Sequence, residues 1–222
     1  ISSNTTPVSP SAQDAVTRSP GWSTAVALPV PTTHGMPSSR LTMAAWQVRP
    51  PRSVTMAAAI FMIDVPFTRE QLVAATVDTI RVNAVPSCYI RPLVYLGYGE
   101  IGLNPLPCPV NVAIAIWPWG TYLGDEGIKN GIRLKISSWR RHDPNIMPPA
   151  AKGTGMYINS SMAKVEALKS GYDEAVMLSP QGHVSECTGE NIFIVDKGAI
   201  ITPPTSAGAL QGITQDSVRR IA

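Results

Sequence analysis

Near residue 58 the chain changes character, and the change limits which part of it can fold. Ser, Thr and Pro supply 25 of the first 58 residues, a stretch with no Lys, Glu, Phe or Tyr. Pro29, Pro31, Pro50 and Pro51 remove backbone donors at irregular intervals, and neither a helical nor an alternating apolar period runs through the stretch. Three origins fit: a disordered tail, an Arg- and Ser-bearing transit segment, or translation out of frame. Little regular structure is expected before about Ala58. The formal charge of +3 also belongs there, because Asp14 faces four arginines while residues 59–222 balance 14 acids against 14 bases. No basic cluster with aromatic or groove-reading neighbours accompanies that charge, which argues against a nucleic acid partner.

From Ala59 onward the pattern is that of an α/β protein. Thr68 stands as an N-cap with Gln71 placed to reach back, and Phe67 can staple onto Leu72. Val73, Val77 and Ile80 continue a helical apolar stripe. Strands are expected at Cys88–Leu96, with Pro92 marking an edge or bulge, at Asn111–Trp117 and at Gly131–Ser137. A helix over Met156–Ser170 would carry Ile158, Met162, Val165 and Leu168 on one side and end at Gly171. Short strands follow at Glu174–Ser179, His183–Glu186, Asn191–Val195 and Ala199–Ile201, with turns at 179–182 and 196–198. A last helix starts near Thr214. Apolar runs are too short to span a bilayer. Three widely spaced cysteines, Cys88, Cys108 and Cys187, fit neither a disulfide framework nor a zinc cluster and point to a reducing, cytoplasmic setting. With no initial Met and a last residue inside a helix-like pattern, both ends are expected to lie within a longer chain.

Four motifs bear on chemistry. Gly97-Tyr98-Gly99-Glu100-Ile101-Gly102 matches a dinucleotide fingerprint, but Pro105, Pro107 and Pro109 forbid the helix that would receive a pyrophosphate, so it is a glycine-rich loop. Lys152 sits among small and apolar neighbours in Ala150-Ala151-Lys152-Gly153. It is either a solvated charge or an amine desolvated enough to condense with a carbonyl. Glu186 and Glu190 lie in Ser185-Glu186-Cys187-Thr188-Gly189-Glu190-Asn191, which is either a polar hairpin connection or a carboxylate facing a ring nitrogen. Leu210-Gln211-Gly212-Ile213-Thr214, with Thr214 as a cap, opens a helix whose N–H groups could meet a phosphate.

In order along the chain, the last three of these motifs resemble the branched-chain amino acid aminotransferases, which are fold-type IV, class IV enzymes dependent on pyridoxal 5'-phosphate (PLP). Also part of the resemblance are Tyr89-Ile90-Arg91-Pro92-Leu93, Pro118-Trp119-Gly120-Thr121-Tyr122-Leu123-Gly124, Ser137-Ser138-Trp139-Arg140-Arg141 and Thr202-Pro203-Pro204. The likeness covers about Ala59 to Ala222. It implies a small N-terminal α/β domain over 59–117, an interdomain loop over 118–127, and part of a larger domain with a barrel-like sheet over 128–222. By motif, Lys152 corresponds to the lysine that binds PLP covalently, Tyr157 to the partner of its 3'-oxygen and Glu186 to the partner of its pyridine nitrogen. Leu210 would pack on the ring, and the Ile213 and Thr214 amides would hold the phosphate. Tyr89, Arg91 and Tyr122 correspond to substrate-pocket residues, with Arg91 recognising a carboxylate of glutamate or 2-oxoglutarate.

The implied reaction moves an amino group from Leu, Ile or Val to 2-oxoglutarate in two half-reactions, in a homodimer or homohexamer with no metal. The pattern departs from the family in two places. A Phe-Glu-Gly-Ile-Arg-like motif, whose arginine binds the PLP phosphate, is missing from residues 1–58, which favours translation out of frame over the other two origins of that stretch, and the chain stops before the family's later phosphate-binding turn. Weak PLP binding or incomplete folding is therefore expected of this chain. D-amino acid aminotransferases and aminodeoxychorismate lyases share the lysine and glutamate. The D-specific enzymes carry Arg-x-His where this chain has Arg91-Pro92-Leu93, which disfavours them. A non-catalytic fragment is the remaining alternative.

Overall fold

The computed structural model describes residues 17–19, 22–27, 52–120 and 124–222. It divides into two units, Ile1–Val54 with Ile63–Gly120, and Thr55–Met62 with Thr121–Ala222.

In the first unit, strands β1 (Thr17–Ser19) and β2 (Trp22–Ala27) lie in the segment expected to hold little regular structure. The run Trp-Ser-Thr-Ala-Val-Ala has the β-branched and aromatic content of a strand, and β2 pairs antiparallel with a later strand through Ala25↔Ala115 and Val26↔Ile114. The rest of the stretch before residue 52 lies outside the described residues. Helix α1 (Arg52–Ile60) starts six residues ahead of Ala58. Its Ala57 and Ala58 are buried, and residues 55–62 group with the second unit. Gly153 makes room for this helix end, since a Cβ there would meet the Phe61 ring at 2.7 Å.

Helix α2 (Arg69–Asn83) opens on the expected capping box, with the Gln71 amide donating to Thr68 Oγ1 at 3.3 Å and the Thr68 amide to Gln71 Oε1 at 2.8 Å. Its most buried residues are Thr76 and Thr79, whose hydroxyls donate back to the Leu72 and Ala75 carbonyls and so enter the interior satisfied. Strands β3 (Tyr89–Leu96) and β4 (Val110–Trp117) form an antiparallel ladder in a sheet ordered β1-β2-β4-β3. Alternation separates the two faces. Ile90, Pro92 and Val94 pair with the buried Ile116, Ile114 and Val112, while Tyr89, Arg91, Leu93 and Tyr95 pair with Trp117, Ala115, Ala113 and Asn111 on the open face. The loop over 97–109 contains no helix, as its prolines require.

In the second unit, α3 (Gly124–Asn130) leads to β5 (Leu134–Arg140), shifted three residues from the expected span. A 3-10 turn at Thr154–Met156 opens α4 (Tyr157–Lys169), which returns the chain to β6 (Glu174–Leu178), parallel to β5. Strand β7 (Val184–Cys187) then pairs antiparallel with β6. Ile158, Met162, Val165 and Leu168 share one side of α4, but that side is exposed. Ala163 and Ala167 instead pack on Ala175 and Met177, because small side chains let the helix approach the sheet closely. Gly171 at φ +79° ends the helix in the left-handed conformation expected of it. Strands β8 (Ile194–Asp196) and β9 (Ala199–Ile201) form a hairpin over Lys197 and Gly198, both at positive φ, before α5 (Ile213–Ile221). Among the described residues no helix is long and apolar enough to cross a membrane.

Candidate active site

Within the second unit, one pocket is lined by Arg141, Ala151, Lys152, Met156, Tyr157, Ser160, Glu186, Thr188, Gly189 and Leu210, among others. Each wall comes from a different part of the fold. Arg141 follows β5, and Tyr157 and Ser160 come from the first turn of α4. Glu186 comes from β7, and Leu210 from the turn ahead of α5.

The pocket is organised around one buried ion pair. Arg141 Nη2 lies 2.7 Å from Glu186 Oε1, with side chains only 6% and 8% exposed. Arg141 Nη1 also donates to Ser160 Oγ at 3.2 Å, and the Leu210 N–H donates to Glu186 Oε2 at 3.0 Å. Burial pushes the Glu186 carboxyl above the ordinary glutamate value, against the pull of Arg141, the Leu210 N–H and Lys152. The Arg141 backbone is fixed as well, its N–H donating to the Leu178 carbonyl at 2.8 Å.

Lys152 lines the same pocket but is exposed, so the desolvation expected from its neighbours is not present. The reason is local: Gly153, Thr154 and Gly155 offer little side-chain cover, and the lysine Nζ lies 5.9 Å from the centroid of the Tyr157 ring. Tyr157 and Leu210 also line the pocket, whereas Ile213 and Thr214 do not appear in its lining. They begin α5, where the N-cap is Gly212 rather than Thr214 and no side chain caps the first turn. Tyr122 lies outside the described residues. Tyr89 and Arg91 stand on the first unit's open sheet face, where the Arg91 Nη2 donates to the Tyr89 hydroxyl at 3.3 Å.

Sequence reasoning assigned no role to several residues that build the pocket. Arg141 stands in the Ser137–Arg141 motif, but only the fold shows that it reaches Glu186. Glu174, almost fully buried, accepts from Lys164 Nζ at 2.6 Å and from Thr188 Oγ1 at 2.6 Å, bracing the pocket wall at Thr188. Burial opposes its ionisation, yet the bonds from Lys164, Thr188 and the Ala175 N–H hold its carboxyl below the ordinary value. Ser137 and Ser138 both donate to Glu166, which also pairs with Lys135 at 2.7 Å and so ties α4 to β5. Burial, then the charges of Glu190, Glu174 and Glu186, push the Cys187 thiol up to about 12, which leaves it inert. Spacing along the chain carries no trace of these contacts, because each joins separate elements.

A β-α-β unit with a lysine, a tyrosine and a buried carboxylate on one pocket agrees with the family model for class IV aminotransferases, which matches residues 54–222; the chain belongs to that family. It is similar to the branched-chain-amino-acid aminotransferase of Pseudomonas aeruginosa, with 43% identity over 165 residues that cover 74% of this chain and 53% of the relative. Among solved structures it is similar to the Escherichia coli branched-chain amino acid aminotransferase at 41% identity and TM-score 0.74, covering 76% of this chain and 56% of that one. The Thermobaculum terrenum branched-chain amino acid aminotransferase in its PLP-form gives 32% identity and TM-score 0.70, with 77% and 55% covered. The chain spans about half the length of the curated relatives it matches.

Class IV aminotransferases use PLP. The residues present fit that group. An amine, a phenol and a buried carboxylate line one pocket with the half-buried Leu210, and the adjoining Arg141 Nε is buried with no hydrogen-bond partner among the described residues.

Proposed function

We propose that the chain carries the PLP pocket of a branched-chain amino acid aminotransferase, moving the amino group of Leu, Ile or Val to 2-oxoglutarate to give branched-chain 2-oxo acids and glutamate. The observation that carries this reading is the buried Glu186, held by Arg141 and the Leu210 N–H in the same pocket as Lys152 and Tyr157. PLP, when bound, supplies an electron-withdrawing ring that stabilises negative charge at the substrate Cα.

Each residue then has a task its surroundings support. Lys152 would hold the cofactor through its amine and would move a proton at the substrate Cα; its exposed position leaves it room to do so. Tyr157 would donate its hydroxyl to the cofactor. Glu186 would hold a proton on the cofactor's ring nitrogen, and burial favours sharing a proton there. Leu210 would pack on the cofactor. The Ile213 and Thr214 amides, in a helix turn with no side-chain cap, would hold its phosphate. Tyr89, Arg91 and Tyr122 recognise the substrate, the arginine taking a second carboxylate.

The reading includes the domain division into 59–117, 118–127 and 128–222, a homodimer or homohexamer, and a cytoplasmic setting, the last supported by three free thiols. It also includes weak retention of PLP, because residues 1–58 carry no Phe-Glu-Gly-Ile-Arg-like motif. Glutamate formation from leucine and 2-oxoglutarate, with PLP in excess, is the test. Yield above that of Lys152→Ala supports the reading, and equal yields contradict it.

A further inference from the structure

On the open face of the first unit's sheet stands a cation with an unusual support. Arg91 enters no ion pair among the described residues. Its Cζ lies 5.1 Å from the Tyr89 ring centroid and 5.2 Å from that of Trp117, and those two rings are 4.9 Å apart and tilted by 37°. The guanidinium therefore rests over the junction of two aromatic faces. Register explains how it gets there. Tyr89 pairs directly with Trp117, while Arg91 pairs with Ala115, whose methyl group leaves the arginine free to fold diagonally toward Trp117. Trp119 packs against both rings, at 4.6 Å from Tyr89 and 5.6 Å from Trp117, and steadies the platform.

We propose that Trp117 is a positioning residue: with Tyr89 it fixes the Arg91 guanidinium in a pose that receives the second carboxylate of a dicarboxylic substrate. Aromatic faces restrain a guanidinium without neutralising it, so its N–H edge stays available for an anion, which a resident carboxylate would prevent. The inference rests on the proposed substrate role of Arg91 and adds the residue that prepares it.

The test titrates the chain with glutarate and with valerate, its monocarboxylate counterpart, following the Arg91 side-chain NMR signals that the two rings displace. The wild-type chain is expected to prefer glutarate. Trp117→Leu should shift the Arg91 signals toward those of a free arginine and weaken glutarate about fivefold with valerate unchanged. Trp117→Phe, which keeps a ring, should retain most of the preference. Ala115→Val, which crowds the guanidinium but leaves both rings, should weaken glutarate and keeps the test decisive if Trp117→Leu does not fold. Unchanged glutarate affinity in Trp117→Leu, or in a folded Ala115→Val chain, overturns the proposal. A wild-type chain indifferent to glutarate overturns it too, and that result is separate from PLP capture at Lys152, on which the proposed function stands.

Discussion

Arg91 and Arg141 hold the same charge in opposite ways. Arg141 is buried and spends its guanidinium on Glu186 and Ser160, so its partners belong to the protein. Arg91 is exposed and rests on aromatic rings, with no ion pair among the described residues. A buried cation must be neutralised at home, because an unpaired charge in the interior is costly. An exposed one held by ring faces can keep its charge for a visitor. The difference separates a residue that shapes a pocket from one that recognises what enters.

Replacing each arginine tests that contrast. Arg141→Met leaves the Glu186 carboxylate buried without its cation and should cost about 3–5 kcal/mol in urea or thermal unfolding. Arg91→Met should cost under about 1 kcal/mol, since an exposed cation over a ring contributes little to folding. Equal losses would erase the distinction. Combining Arg141→Met with Glu186→Leu sharpens it: removing both charges should recover most of the stability lost in the single variant.

A smaller effect is expected at Gly212. A Cβ there would run into the Asn191 side-chain oxygen, and Asn191 Nδ2 donates to the Leu210 carbonyl at 3.1 Å. Gly212→Ala should therefore disturb the Leu210 turn that holds Glu186, with a loss of about 1–3 kcal/mol on unfolding. The backbone itself is not strained by the change, because Gly212 has φ −72°.

The least costly change is one of pH dependence. Bonds from Lys135 and Ser137 hold the Glu166 carboxyl at about 2, below its ordinary 4.5. A carboxyl lowered in the folded state adds stability above its unfolded value, and that stability disappears as pH falls from 4.5 toward about 2. Glu186 and Glu190, both raised chiefly by burial, have the opposite sign, and their contribution falls as pH rises through their folded values. Unfolding midpoints across the acid range should fall less steeply for Glu166→Gln than for the wild-type chain, and equal slopes would contradict this.

Local physics explains what could be read without coordinates. The Thr68–Gln71 box, the β3 and β4 strands, the proline-blocked loop and the Gly171 cap are each decided within a few residues, and each stands where expected. Long-range contacts were not legible. The α4 stripe pointed to a buried apolar side, yet alanines took the interior because the distance between helix and sheet selected for size. Lys152 could be singled out by its neighbours, but its exposure could not. Strand β2 was hidden in a Ser/Thr/Pro-rich stretch because its partner lies some ninety residues later in β4. Arg141 acquires its role only when β5 and β7 come together.

Reductive capture of PLP on the chain, followed by peptide mapping of its six lysines, tests the central claim most directly. The account predicts that borohydride fixes the label on Lys152, and that Glu186→Leu weakens this capture. Label distributed over Lys129, Lys135, Lys164, Lys169 and Lys197, or absent from Lys152, would contradict it.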